Sequence, residues 1–169
     1  MSEIIVIAHN IRSTHNVGAI FRTAEGFGVR HIILSGYTPY PVVQNDSRLP
    51  HIANKLTAQI HKTALGAEQI VPFSHMELPD FERLRAEGYT IVALEQSVDS
   101  IKLPDYKPPQ KLALLLGEEV HGITPEMLSE CKDIIEIPMS GKKESFNVSV
   151  AAGIALYAIT AASTVQDII

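Results

Sequence analysis

Short runs of aliphatic and β-branched residues recur along the chain at residues 4–8, 31–35, 69–73, 89–94, 112–116 and 134–137. Their hydrophobicity is continuous rather than alternating, the pattern of strands covered on both faces. Between the runs, apolar positions spaced three and four apart predict helices over residues 17–27, 52–65, 79–87 and 125–131, with a last helix from Asn147 to about Ala162. Strands alternating with helices define an α/β class: a mostly parallel sheet between helix layers. Residues 36–50, with Pro39, Pro41 and Pro50, read as an ordered loop of restricted conformation, a kind of loop that often carries function.

Composition narrows this picture. The chain has 169 residues, 46% hydrophobic and 20% charged, an ordinary globular balance for one domain. The longest nearly apolar stretch, residues 148–162, is shorter than the ~18–20 residues a membrane span needs. Glu3, His9 and Asn10 interrupt the first apolar run, so it does not read as a signal peptide. Cys131 is the single cysteine, which excludes an intrachain disulfide framework and a multi-cysteine zinc site and points to a reducing, cytosolic compartment. The formal net charge of −5 argues against nonspecific nucleic-acid binding, but it is unevenly spread. Residues 1–66 carry six Lys+Arg against three Asp+Glu, and residues 67–169 carry eight against sixteen. An anionic partner would be met mainly by the N-terminal part, with Lys142 and Lys143 the one basic pair elsewhere.

Several α/β chemistries are missing their signatures. Gly26-Phe27-Gly28 is followed three positions later by His31, and it closes a predicted helix instead of opening one, so a dinucleotide fingerprint fails. Ser140-Gly141-Lys142 lacks the first P-loop glycine, since Glu136 stands there, and no nucleophile elbow is present. The seven histidines are scattered without metal-ligand spacing, which gives no metal site.

Three constellations do carry information. In His15-Asn16-Val17-Gly18-Ala19-Ile20-Phe21-Arg22-Thr23-Ala24, Asn16 stands where a helix cap is expected. Val17, Ile20, Phe21, Ala24 and Phe27 then form an apolar face, while Gly18, Ala19 and Gly26 surround Arg22 on the other. Such a small-residue face admits close approach of a subunit or a phosphate, and the alternative is an arginine paired with Glu25. In Leu116-Gly117-Glu118-Glu119-Val120-His121-Gly122-Ile123, a buried strand runs into a glycine-bounded acidic turn, where open α/β sheets place ligands. In Ile137-Pro138-Met139-Ser140-Gly141-Lys142-Lys143-Glu144-Ser145-Phe146-Asn147, Ser145 and Asn147 stand at a loop-to-helix junction. The helix that follows has almost no polar face and must be buried in the fold or against a partner.

In this order and spacing the three blocks resemble the signature motifs of the SpoU family, RNA ribose 2′-O-methyltransferases of the SPOUT superfamily, over nearly the whole chain. The resemblance implies S-adenosylmethionine as methyl donor, a C-terminal trefoil knot, a homodimer and a tRNA or rRNA substrate. It casts Asn16, Arg22, Glu119, Ser145 and Asn147 as catalytic-site residues, with Glu118 at a variable place. It sets the donor against Leu94, Gly117, Ile137, Met139 and Ser145. Phe146 stands where relatives usually have leucine, a change expected to alter packing only. Residues 1–169 then form one methyltransferase domain with no separate RNA-binding domain, so recognition falls to the catalytic dimer or to an accessory RNA-recognition protein. The competing readings are a catalytically silent RNA-binding or assembly subunit and transfer to a base nitrogen.

Overall fold

A computed structural model describes residues 2–166, with side chains through residue 162. Seven strands form one sheet in the order β3-β2-β1-β6-β4-β7-β5, and every neighbouring pair is parallel. The central strands are β1 (Glu3–His9), β6 (Lys111–Leu116) and β4 (Thr90–Leu94). Outside them lie β2 (His31–Ser35) and β3 (Phe73–Met76) on one side, and β7 (Asp133–Glu136) and β5 (Ile101–Lys102) on the other.

The continuous hydrophobicity of the strands has the cause inferred from it. Along β1, Ile4, Val6 and Ala8 enter one core cluster, and Ile5 and Ile7 enter the other. Along β6, Leu112, Leu114 and Leu116 face the first cluster, and Ala113 and Leu115 the second. The first layer is built by α1 (Thr14–Gly26), α2 (Pro50–Ala64), α3 (Ala67–Ile70) and α6 (Val148–Gln166). The second is built by α4 (Phe81–Ala86) and α5 (Pro125–Ser129), which seat Leu84 and Met127 against it. Burying each such aliphatic side chain contributes roughly 1.5–3 kcal/mol.

Three expectations need correction, and two short elements were not expected at all. The apolar pattern predicts a strand over residues 69–73, but Ala67–Ile70 is a helical turn and the strand runs over Phe73–Met76. Gly66 (φ 99°) lets the chain reverse there, and the buried Glu68 carboxylate holds the turn by accepting from the Gly66 amide at 3.0 Å and meeting His61 Nδ1 at 2.7 Å. Strand β5 and the 3₁₀ turn Leu103–Asp105 have no counterpart in the sequence pattern, because a two-residue exposed strand has no readable period. Asn16 is not the cap of α1. The helix starts three residues earlier than expected, at Thr14, and Ser13 Oγ caps it by accepting from the Asn16 amide at 3.3 Å. Gly18 is not part of an open face either. A Cβ there would fall 2.2 Å from the Ile60 carbonyl oxygen and from Thr63 Oγ1, so this glycine sets the α1–α2 approach, while Gly26 does face open space.

Helix α6 buries Ala152, Ala155, Leu156 and Ile159 but leaves Val150 50% and Tyr157 65% exposed, so among the described residues one of its faces stays largely open, with the Phe27 ring lying 6.4 Å from the Tyr157 ring at its edge. The described residues do not trace the expected C-terminal knot, and residues 167–169 lie outside them. Among the described residues no helix is long and apolar enough to cross a membrane, and no group of three or more His, Cys, Asp or Glu side chains could hold a metal ion.

Candidate active site

Parallel strands all deliver their carboxyl ends to one edge of a sheet, and loops that leave it converge there. The pairing register sets Leu94 of β4 beside Ile135 of β7, and Ala93 of β4 beside Leu115 of β6. Just beyond these positions lies a cavity of about 440 Å³, lined by the segments after β4, β6 and β7 and by the start of α6. Its size falls within the roughly 300–1,000 Å³ of small-molecule sites.

The turn after β6 is closed by backbone pairing: the Glu118 amide donates to the Gly122 carbonyl at 3.2 Å, and the Gly122 amide donates back to Glu118 at 2.9 Å. Two glycines make this possible. A Cβ on Gly117 would fall 2.5 Å from Ile123 Cγ1 and 2.7 Å from the Gly122 carbonyl carbon. Gly122 sits at φ +69°, and a Cβ there would fall 2.3 Å from Glu95 Oε2. That space is used by the Glu95 carboxylate, which accepts from the Ile123 amide at 3.1 Å and from the Gln96 amide at 2.8 Å. Glu95 therefore ties the loop after β4 to the turn after β6.

The three sequence blocks meet at the cavity mouth. Asn16 Nδ2 donates to Glu119 Oε1 at 2.9 Å, and Asn147 Nδ2 donates to Asn16 Oδ1 at 3.1 Å. Asn147 also caps α6, its Oδ1 accepting from the Ser149 amide at 2.9 Å and the Val150 amide at 3.4 Å. One uninterrupted chain of hydrogen bonds thus runs from the acidic turn through the first turn of α1 to the N-terminus of α6.

All five residues expected to hold a donor, Leu94, Gly117, Ile137, Met139 and Ser145, line the cavity, as does Glu119. Arg22 stands apart. It is exposed on α1 and makes no hydrogen bond or ion pair among the described residues, so its pairing with Glu25 is not formed.

Sequence reasoning missed Glu95, Arg12 and the role of Glu118. Arg12 forms an ion pair with Glu118, and its amide donates to Glu119 Oε2 at 3.4 Å. Each missed residue follows the end of a central strand, which is the signal that could have found it. The cavity lining is acidic. Glu136 is matched by Lys102, whose hydrogen bond, with one from Ser100, holds its carboxyl below the usual range. Glu118 is matched by Arg12, whereas Glu95 and Glu119 have no cationic partner among the described residues. Two uncompensated carboxylates, an apolar floor and exposed backbone groups suit an amphipathic ligand that carries positive charge.

Fold and site together define an α/β protein with a ligand cavity at the carboxyl ends of a parallel sheet, framed by three linked motifs. The SpoU rRNA Methylase family model matches residues 3–157, and the chain belongs to that family. It is 32% identical over 160 residues to the 23S rRNA (guanosine-2′-O-)-methyltransferase of Nitrosomonas europaea, covering 91% of this chain and 54% of that protein. It is 30% identical over 155 residues to the tRNA (guanosine(18)-2′-O)-methyltransferase of Aquifex aeolicus, covering 92% of this chain and 67% of that protein. The chain therefore spans about half to two-thirds of the length of these curated relatives. Among solved structures, an AdoMet-bound rRNA methyltransferase from Sinorhizobium meliloti superposes with a TM-score of 0.76 at 26% identity, covering 93% of this chain and 55% of that one.

Proposed function

We propose that this protein transfers a methyl group from S-adenosylmethionine to a ribose 2′-hydroxyl of tRNA or rRNA. The observation that carries the proposal is the Glu119–Asn16–Asn147 hydrogen-bond chain, which joins all three family motifs beside a cavity lined by every expected donor-binding residue. The cavity also fits the donor chemically: S-adenosylmethionine joins an apolar nucleoside surface to a cationic sulfonium and an ammonium, and Glu95 and Glu119 supply unmatched negative charge.

When bound, the donor presents a methyl group activated for in-line displacement. The chain's residues hold and activate the other reactant. Gly117 and Gly122 keep the turn backbone close to the cavity, and Glu95 fixes that turn. Asn147 and Asn16 hold Glu119 in place, while Ser145 lines the cavity at the start of the α6 junction, where a ribose would enter. An arginine stays protonated at neutral pH. Arg22, without a partner among the described residues, therefore serves as a cation that binds RNA phosphate and stabilises the emerging alkoxide, while the hydroxyl proton passes to water.

The same reading includes a homodimer, a knotted C-terminal region, a single domain over residues 1–169 and a cytoplasmic location, with RNA recognition falling to the dimer or to an accessory RNA-recognition protein. Support for the dimer is the exposed face of α6 at Val150 and Tyr157, together with Gly26, which faces open space on α1. A second copy seated there would close over Arg22. Support for the knot is the strand order, in which β7 enters between β4 and β5 although it follows both.

The test is transfer from methyl-labelled S-adenosylmethionine to total tRNA and, separately, to rRNA, followed by nucleoside mapping. Label recovered in a 2′-O-methylnucleoside is the expected result. Label on a base, or binding of donor and RNA without transfer, would overturn the proposal.

A further inference from the structure

A second groove, about 580 Å³, opens beside the donor cavity, and Arg12 borders both through its contacts to Glu118 and Glu119. It lies in the more basic N-terminal part of the chain and is shaped by the proline-containing loop after β2. The base of that loop is locked. Thr38 Oγ1 is buried, donating to the Ala8 carbonyl at 3.0 Å and accepting from the Ile11 amide at 2.9 Å. The Tyr37 amide donates to Asn10 Oδ1 at 3.2 Å, and Gly36 turns at φ +63° against the same side chain.

One wall of the groove is a three-layer stack. The Arg48 guanidinium carbon lies 3.5 Å from the Tyr40 ring centroid, and the His75 ring stacks on Tyr40 with centroids 3.9 Å apart at 22°. Two groups that close to one centroid must occupy opposite faces of the ring. His75 is further pinned by its Nε2, 3.2 Å from the Gly36 carbonyl oxygen. Arg48 is pinned by Asp46, with Nε to Oδ1 at 2.8 Å, and this arginine holds the Asp46 carboxyl well below its usual range.

Three further features decide what fits. Tyr37 is 51% exposed, its backbone is locked, and its ring is steadied by Arg12, whose Nε donates to the Tyr37 hydroxyl oxygen at 3.5 Å and whose guanidinium carbon lies 5.8 Å from the ring centroid, so an aromatic ring is held at the groove. Both cations of the groove, Arg12 and Arg48, are already paired with carboxylates, which leaves little charge for a phosphate. Gln59, half-buried on α2, has a carboxamide with no hydrogen-bond partner among the described residues, so both its donor and its acceptor are available. A pre-set ring beside an open carboxamide suits the flat face and polar edge of an unpaired nucleobase, not a phosphate or a duplex backbone.

We infer that this groove is a nucleobase subsite, which stacks an unpaired nucleotide of the RNA substrate on Tyr37 and reads its edge with Gln59, next to the nucleotide presented to the donor cavity. The inference rests on the RNA-methyltransferase reading and adds to it the substrate feature the enzyme requires: a single-stranded neighbour of the target.

The test uses the intact protein and a single-stranded RNA hexamer carrying 2-aminopurine, whose fluorescence is quenched by stacking. An abasic ribose-phosphate oligomer of equal length serves as control. Tyr37→Ala is expected to weaken hexamer binding roughly 5- to 100-fold, in line with loss of one base–aromatic stack, while Tyr37→Phe stays near wild type. Gln59→Ala is expected to flatten the preference among hexamers of different base composition. The Tyr37→Ala effect should vanish with the abasic oligomer. Equal hexamer binding by wild type and Tyr37→Ala overturns the subsite, and so does an effect that persists with the abasic oligomer. S-adenosylmethionine binding, measured in parallel, separates the two readings. If wild type and Tyr37→Ala both bind the donor but do not differ on the hexamer, the subsite fails alone, whereas loss of donor binding in wild type removes the enzyme reading.

Discussion

Replacing Asn16 by aspartate changes one group, an amide nitrogen to a carboxylate oxygen, at the centre of the hydrogen-bond chain. The new oxygen would stand 2.9 Å from Glu119 Oε1 in place of a donor. Two unit charges at that separation repel by about 1.4 kcal/mol in bulk water and about 6 kcal/mol at an effective dielectric of 20. Glu119 is exposed and Asn16 half-buried, so the solvent end of that range applies. Loss of the original hydrogen bond adds about 1 kcal/mol, and swinging of the Glu119 side chain relieves part of the total. The expected destabilisation is about 2 kcal/mol, a fall in melting temperature of roughly 4–8 °C for a chain of this size. The bond to Asn147 survives, because the introduced carboxylate still accepts from Asn147 Nδ2. Combining Asn16→Asp with Glu119→Gln exchanges donor and acceptor and restores both bonds, so the double variant should melt within about 0.5 kcal/mol of wild type. Asn16→Ala, which loses both bonds without repulsion, should not be rescued by Glu119→Gln. Thermal unfolding of these variants beside wild type reads the cycle. If Asn16→Asp melts with wild type, or if Glu119→Gln fails to rescue it, the two side chains are not coupled and the three motifs do not form a linked site.

Gly122→Ala forces a side chain into a left-handed position and onto the Glu95 carboxylate; it should cost about 1–2 kcal/mol in thermal unfolding and weaken S-adenosylmethionine binding in calorimetry, and unchanged affinity would detach the Glu95 clamp from the cavity. Burial pushes the Cys131 thiol up to about 11, so at pH 8 the folded protein should react with iodoacetamide about 100-fold more slowly than an unburied thiol whose pKa is about 9, with the rate rising as pH climbs toward 11 and the difference abolished in denaturant. A folded protein that alkylates as fast as the denatured one contradicts that burial. Arg22→Lys keeps the charge but loses the planar donor fork, so single-turnover methyl transfer at saturating donor and RNA should fall about tenfold to a thousandfold, or roughly 1.4–4 kcal/mol, with donor affinity retained. Near-wild-type chemistry in Arg22→Ala would remove this residue from the reaction.

What could be read in advance divides along the range of the forces involved. Residues 4–8 and 112–116 announce themselves as central strands because each side chain is buried whichever face it takes, and no turn residue interrupts them. Strand β5 carries no such record, since Ile101 and Lys102 are both exposed and pair only with β7. The misplaced strand at residues 69–73 shows a tertiary contact outweighing a local preference: Ile70 and Val71 favour a strand, but the Glu68 carboxylate bonded to the Gly66 amide and to His61 holds the segment helical. Asn16 shows the same conflict at the site. Serine and asparagine cap helices about equally well, so composition alone does not choose between Ser13 and Asn16. The choice is made at a distance, because the Asn16 carboxamide bridges Glu119 and Asn147, partners 103 and 131 residues away. A residue whose side chain is committed to two long-range partners cannot also cap its own helix, so the cap passes to Ser13 and the helix begins earlier than periodicity places it. The failure of the local rule at Asn16 is thus itself a mark of the site: the carboxamide is held back from the backbone because the linkage between the three motifs requires it.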